Sequence, residues 1–202
     1  RLFNDHKGEK LFYATAPYLT GWGSRYAAKA AVGAMGAEFA KSRDTCYLLS
    51  DTYQGNLASD RTLMQKYGEH PGERLEIYVP EDEPAYYRID EASGVWYGTL
   101  YDSSSLDSED PFNVFFGGDR PLTEIYSAAI NGETLLVIGD RTANSIVPLF
   151  VSSFEKIILV HPSESTRSLM SLAEKYQPTK ILYLYGANTF MKDRSLLRIA
   201  SQ

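Results

Sequence analysis

A single cysteine and only three histidines stand among the 202 residues, and each shortage closes off a class of chemistry. One thiol excludes an intramolecular disulfide. Cys46 lies in the apolar run TCYLLS and is therefore expected to be a small buried hydrophobe. No Cys/His cluster, HExxH or EF-hand spacing is present, so no metal site is expected. Long apolar runs are missing too: nothing reaches the roughly 18 residues of a membrane span. Positive charge is scarce, with a net charge of −6 and a pI near 5.1. That balance argues against a nucleic-acid groove or an anionic membrane surface as partner. Internal repeats, low-complexity tracts and flexible linkers are absent, and the length suits one sizeable core, so residues 1–202 read as a single domain. The chain opens on Arg1 without a signal peptide, as expected of a mature or trimmed product.

What is present is organised around residues 133–162, ETLLVIGDRTANSIVPLFVSSFEKIILVHP. An apolar run at 134–138 ends in Gly139-Asp140-Arg141. Helical spacing follows (Ile146, Leu149, Phe150, Phe154), and then a second apolar run at 156–160. This predicts strand, turn, helix and strand, a crossover unit of a parallel sheet. In such sheets ligands sit beyond the carboxyl ends of the strands, which places residues 139–144 where chemistry is expected. After it, 165–176 reads as a helix capped by Ser165 or Thr166, 180–185 as a buried strand, and 189–200 as a closing helix. Ahead of it, 10–15 reads as a short strand and 23–41 as an alanine-rich helix. Residues 122–130 read as a connecting segment. Between them, Tyr-, Val- and Ile-rich runs broken by Pro, Gly, Asp and Ser predict a β-rich antiparallel insertion at about 52–101. The polar stretch 103–111 reads as a solvated acidic loop. The expected fold is a three-layer α/β sandwich with a mainly parallel sheet and that small insertion.

Three motifs in order resemble those of the DHHW proteins, a bacterial branch of the SGNH-hydrolase fold related to the alginate O-acetyltransferases. YATAPYLTGWG at 13–23 is similar to Y-x-T-D-H-H-W-T-x-x-G. FFGGDRPL at 115–122 is similar to F-L-G-G-N-H-P-L, and VIGDRTANSIVPL at 137–149 to K-D-S-Y-A-N-S-F-V-P-F. The resemblance spans nearly the whole chain, although a family member would carry a further N-terminal portion ahead of the first motif. It implies a Ser-His-Asp acyl-transfer triad, with Asp and His from the first motif and Ser from the third. Here the aspartate position is Ala16, the histidine positions are Pro17 and Tyr18, the tryptophan position is Leu19, and the nucleophile position is Arg141. The Asn-His pair of the middle motif is Asp119-Arg120, while Asp140, Asn144 and Ser145 stand as in the pattern.

These replacements remove the chemistry. Arginine stays protonated and cannot attack an acyl carbon, and tyrosine is a poor base at neutral pH. Loss of a triad serine alone costs on the order of a million-fold in turnover in subtilisin. His6 and His70 read as surface groups, and His161, at the end of 156–160, as part of the turn and cap leading into the next helix. Gly117-Gly118 lacks the Lys and Ser/Thr of a phosphate loop, and no cofactor is expected. Tyr18, Asp119, Arg120, Asp140, Arg141 and Asn144 are expected to converge on the old pocket. There the arginines either grip an anion such as an acidic glycan, or are neutralised by Asp119 and Asp140. The aromatics Tyr78, Tyr86, Tyr87, Trp96, Tyr97 and Tyr101 serve either packing or sugar stacking. The expected function is non-catalytic binding or scaffolding, and the resemblance links it to a cell-surface polysaccharide outside the cytoplasm. The alternative is an acyl-ester hydrolase or O-acetyltransferase with rearranged residues.

Overall fold

The structure is a computed structural model that describes residues 2–39, 44–81 and 86–201. Its centre is a six-stranded sheet built from β3 (Tyr86–Asp90), β4 (Val95–Tyr97), β5 (Leu122–Ser127), β6 (Thr134–Gly139), β7 (Lys156–Val160) and β8 (Lys180–Leu184). The strand order is β4-β3-β5-β7-β6-β8. β7, β6 and β8 are parallel, whereas β4, β3, β5 and β7 pair antiparallel in turn. The sheet is therefore mixed, which corrects the expectation of a mainly parallel one.

The correction traces to 122–130. This segment was expected to be a connection, but its first six residues form β5, between β3 and β7. Thr123 and Glu124 interrupt the apolar run and hide the strand in the sequence. Both are nevertheless buried, and Glu124 accepts a 2.6 Å bond from the Tyr176 hydroxyl. A buried polar group that finds its partner is tolerated inside a sheet.

Residues 52–101 are divided between two sheets rather than forming one insertion. β1 (Asp44–Tyr53) and β2 (Glu73–Pro80) make a separate two-stranded ribbon, with α2 (Arg61–Tyr67) between them, while β3 and β4 extend the main sheet. Cys46 lies on β1 and is exposed, contrary to expectation, because the ribbon buries little of that face. It is expected to react stoichiometrically with Ellman's reagent without denaturant, and a thiol that reports only after unfolding would contradict the exposed ribbon face.

Apolar clusters lie on both faces of the main sheet, because alternate residues of β6 and β7 point to opposite sides. Leu135, Val137, Ile157 and Leu159 pack on one face with α1 (Gly21–Ala34) and Phe150. Leu136, Ile138, Ile158 and Val160 pack on the other with Leu172 of α3 (Leu169–Tyr176) and Ile199 of α5 (Ser195–Ala200). The crossover between β6 and β7 is present, but its middle is two short 3₁₀ turns, Arg141–Ser145 and Val147–Phe150, instead of an α-helix. Pro148 explains this, since its ring collides with the carbonyl four residues back in a continuous α-helix.

Other boundaries also shift. Residues 10–15 form only an isolated bridge, Phe12 to Leu19. α1 ends at Ala34, and residues 40 and 41 of the expected helix lie outside the described residues. α3 is capped by the Ser168 hydroxyl, which accepts from the Ser171 amide, instead of by Ser165 or Thr166. The closing helix is two, α4 (Ala187–Lys192) and α5. β8, expected to be buried, is an edge strand with Ile181 and Tyr183 exposed.

Candidate functional site

Because β6, β7 and β8 run parallel, Asp140, His161 and Gly186 emerge together at one end of the sheet. The turn after β6 is fixed by Gly139. A Cβ there would lie 2.5 Å from the Leu184 carbonyl oxygen, so only glycine lets β8 close against it. Asp140 then caps the 141–145 turn, its Oδ1 accepting from the Thr142 amide at 3.0 Å. Both its oxygens also accept from the Gly186 amide, at 3.2 and 3.1 Å. With its carboxylate bonded to these amides, Asp140 acts as a structural tie and does not neutralise Arg141.

Arg141 is held elsewhere. Its Nη2 donates to Asp110 Oδ2 at 2.5 Å and to Asn113 Oδ1 at 2.8 Å, and its Nη1 stands 3.7 Å from Asp119 Oδ2. The guanidinium also lies over the rings of Tyr18 and Phe112, which stack on each other with centroids 4.4 Å apart. The expected partner Asp119 is thus present at ion-pair distance, but the closest carboxylate is Asp110, which the sequence placed in a solvated acidic loop. Asp110 is the N-cap of a 3₁₀ turn, Pro111–Val114, that carries Phe112 and Asn113 to the site. Asp followed by Pro is a helix-start signal, and it was the one available clue.

Asp119 lies among three groups. Asn144 Nδ2 donates to its Oδ1 at 2.7 Å, His161 Nε2 stands 3.8 Å from the same oxygen, and Arg141 approaches the other. His161 is buried, and its Nδ1 lies 2.8 Å from the Arg120 carbonyl oxygen. Its Nε2 has no hydrogen-bond partner, so no serine is engaged by the imidazole. The expected turn role is carried by the His161 backbone, whose carbonyl accepts from the amides of Glu164 and Ser165. Arg120 does not join the cluster. Its side chain turns toward Asp90, at 3.6 Å, and the Gly117 carbonyl, at 3.2 Å. Of the six residues expected to converge, Arg120 turns away, while Asp140 lines the strand-end space beside Tyr18, Asp119 and Arg141 but spends its carboxylate on backbone amides.

The first motif is also explained. Ala16, where the resemblance places an aspartate, is buried beneath Gly55, on which an added Cβ would lie 2.5 Å from the Ala16 Cβ. Tyr18, at a histidine position, has its phenol pushed above the usual range by burial, with Arg141 pulling the other way and Asp110 adding to the rise. It stays protonated at neutral pH and accepts no proton there.

Arg141 and Tyr18 together form a wall between two spaces. One is a cleft of about 780 Å³ reaching toward α2, with Tyr53, Asn56, Arg61 and Glu109 on its sides. The other, about 340 Å³, lies at the strand ends beside Asp119, Ser163 and Asn188. The residues of the larger cleft outside the three motifs were missed from sequence, and no local signal marks them. Among the described residues no group of three or more His, Cys, Asp or Glu could hold a metal ion, and no helix is long and apolar enough to cross a membrane.

Comparison with known proteins supports the same architecture. A DHHW family protein from Eubacterium siraeum DSM 15702 superposes with a TM-score of 0.80 at 16% identity, covering 96% of this chain and 65% of that one. Bacillus cereus PatB1 with a sulfonyl adduct superposes at 0.72, also at 16% identity, covering 95% of this chain and 65% of that one. A second PatB1 structure gives 0.63. The chain thus spans about two thirds of the length of these structures. No curated protein matches it. The family profile described as "DHHW protein" matches residues 1–160, and on that match the chain belongs to the DHHW protein family.

Proposed function

We propose that this chain is a non-catalytic member of its family: a three-layer SGNH-hydrolase-like domain with a degenerate triad, acting outside the cytoplasm and binding a cell-surface polysaccharide. The observation that carries the reading is the state of position 141. Where the resemblance calls for a serine nucleophile there is an arginine, tied to Asp110 and Asn113 and stacked over two aromatic rings. Around it the base and acid positions are a proline, a protonated tyrosine and a buried alanine. His161, the one imidazole near the strand ends, bonds to the Arg120 backbone and to no hydroxyl. Acyl transfer needs a nucleophile and a base within hydrogen-bond reach, and that pair is missing here.

The polysaccharide link and the extracytoplasmic location rest on the family and on the alginate O-acetyltransferases it resembles. A site that has lost its nucleophile keeps its cleft, and the cleft beside Arg141 is large enough for more than one sugar ring. A serine-directed fluorophosphonate probe is expected to leave the protein unlabelled, and aryl-acetate turnover to equal the buffer rate. Stoichiometric labelling of one serine, Ser163 above all, would establish acyl-transfer chemistry and remove the non-catalytic reading.

A further inference from the structure

From the unspent polar groups of the 780 Å³ cleft we infer that its ligand is an uncharged saccharide segment, bound on the α2 side of Arg141 instead of in the old active-site compartment. The inference rests on the binding role proposed above and names its ligand class and place.

The argument begins with charge. Arg141 and Asp110 both line the cleft, but they neutralise each other at 2.5 Å. That leaves Arg61 and Glu109, of opposite sign, and neither makes a side-chain hydrogen bond or ion pair among the described residues. The cleft is therefore balanced in charge, in a protein whose net charge is −6. A polyanion entering it would meet Glu109 and a repulsive long-range field, with Arg61 alone to offset them. A neutral polyhydroxyl ligand meets neither penalty, and it can donate to Glu109 while accepting from Arg61.

The second observation is a buried orphan. Tyr53 is only 2% exposed and lines the cleft, yet its hydroxyl has no hydrogen-bond partner. Burying a hydroxyl without a partner is unfavourable unless something arrives to meet it. Asn56, close by in the same wall, also has an unspent side-chain amide. A phenol that both donates and accepts, an amide, a guanidinium and a carboxylate together match the mixed donors and acceptors of sugar hydroxyls. None of the side chains lining the smaller compartment carries a buried polar atom without a partner, and Asp140 and Asp119 there are already bonded to Thr142, Gly186 and Asn144.

The test is calorimetric titration of the whole chain with cellotetraose and, separately, with tetragalacturonate. Cellotetraose is expected to bind, with an affinity that changes little between ~50 and ~500 mM salt. Tyr53→Phe and Glu109→Gln should each weaken it about fivefold to tenfold. Asn188→Ala, in the smaller compartment, should leave it unchanged. Tyr53→Phe removes only an orphan hydroxyl and should melt no lower than wild type, so weaker binding would not reflect misfolding. Binding of tetragalacturonate alone, or losses confined to Asn188→Ala, would overturn this inference and leave the polysaccharide reading standing. Binding of neither sugar by the wild type would overturn both.

Discussion

Replacing Glu73 with alanine is expected to destabilise the protein by about 3–5 kcal/mol. The Glu73 side chain is fully buried at the start of β2 and holds the first motif in place. Its Oε1 accepts from the Ala14 amide at 2.9 Å, and its Oε2 accepts from the Thr15 amide and hydroxyl at 2.8 and 2.5 Å. The Lys10 ammonium lies 2.8 Å from Oε1. Truncation leaves the two amides without a partner inside the protein, so the loss is desolvation as well as lost bonds.

The same contacts set an acid limit. Burial alone would raise the Glu73 carboxyl, but the bonds from Lys10, Thr15 and Ala14 outweigh it and hold the group at about 2, against an ordinary value of 4.5. The folded pKa is the lower one, so the stabilisation is fully present above about 4.5 and disappears as pH falls toward 2. Linkage over that interval corresponds to about 3 kcal/mol. Urea unfolding between pH 6 and 2 should show this slope in the wild type and a flatter one in Glu73→Gln, whose amide does not titrate. Parallel profiles would mean that another carboxylate controls acid unfolding.

Ala16→Asp, which would restore the acid that the motif resemblance implies, is expected to cost about 3 kcal/mol or more and to return no activity. Ala16 is 2% exposed and sits under Gly55. An aspartate there would need room that the Gly55 loop does not provide. It would also bury a charge, which raises its pKa in the folded state. The charge penalty therefore grows as pH rises above the unfolded value near 3.9, and is smaller at lower pH. Compared with wild type at each pH, the variant should recover part of its deficit at pH 4 relative to pH 7. A loss below about 1 kcal/mol at pH 7 would show that position 16 reaches solvent.

Much of the sheet could be read from residue order. β6, β7 and β8 announce themselves as apolar runs bounded by turn residues, and the β6–β7 crossover follows from Gly139-Asp140 between two of them. β5 is hidden because Thr123 and Glu124 look solvated in sequence, and only partners brought by the fold, the Tyr126 and Tyr176 hydroxyls with Lys156 and Lys175, make a buried glutamate acceptable there. The division of 52–101 between two sheets was equally hidden, because alternation identifies a strand without naming its partner. For Cys46, an apolar run suggested burial, but the face it occupies depends on what packs against the ribbon.

The site divides in the same way. Residue identity by itself determined that positions 16, 17 and 141 offer no nucleophile or acid–base group, because no folding can give alanine, proline or arginine that chemistry. Identity also determined that Arg141 must carry a charge in need of compensation. Which carboxylate supplies it was a tertiary matter. Of the expected carboxylates, Asp119 stands at ion-pair distance and Asp140 is bonded to the Thr142 and Gly186 amides, while Asp110, 31 residues away, takes the closest contact with the guanidinium. Charge pairing is decided by distance in space, and the turn at 111–114 that delivers Asp110 is placed by packing of Phe112 against Tyr18, not by any pattern around residue 141.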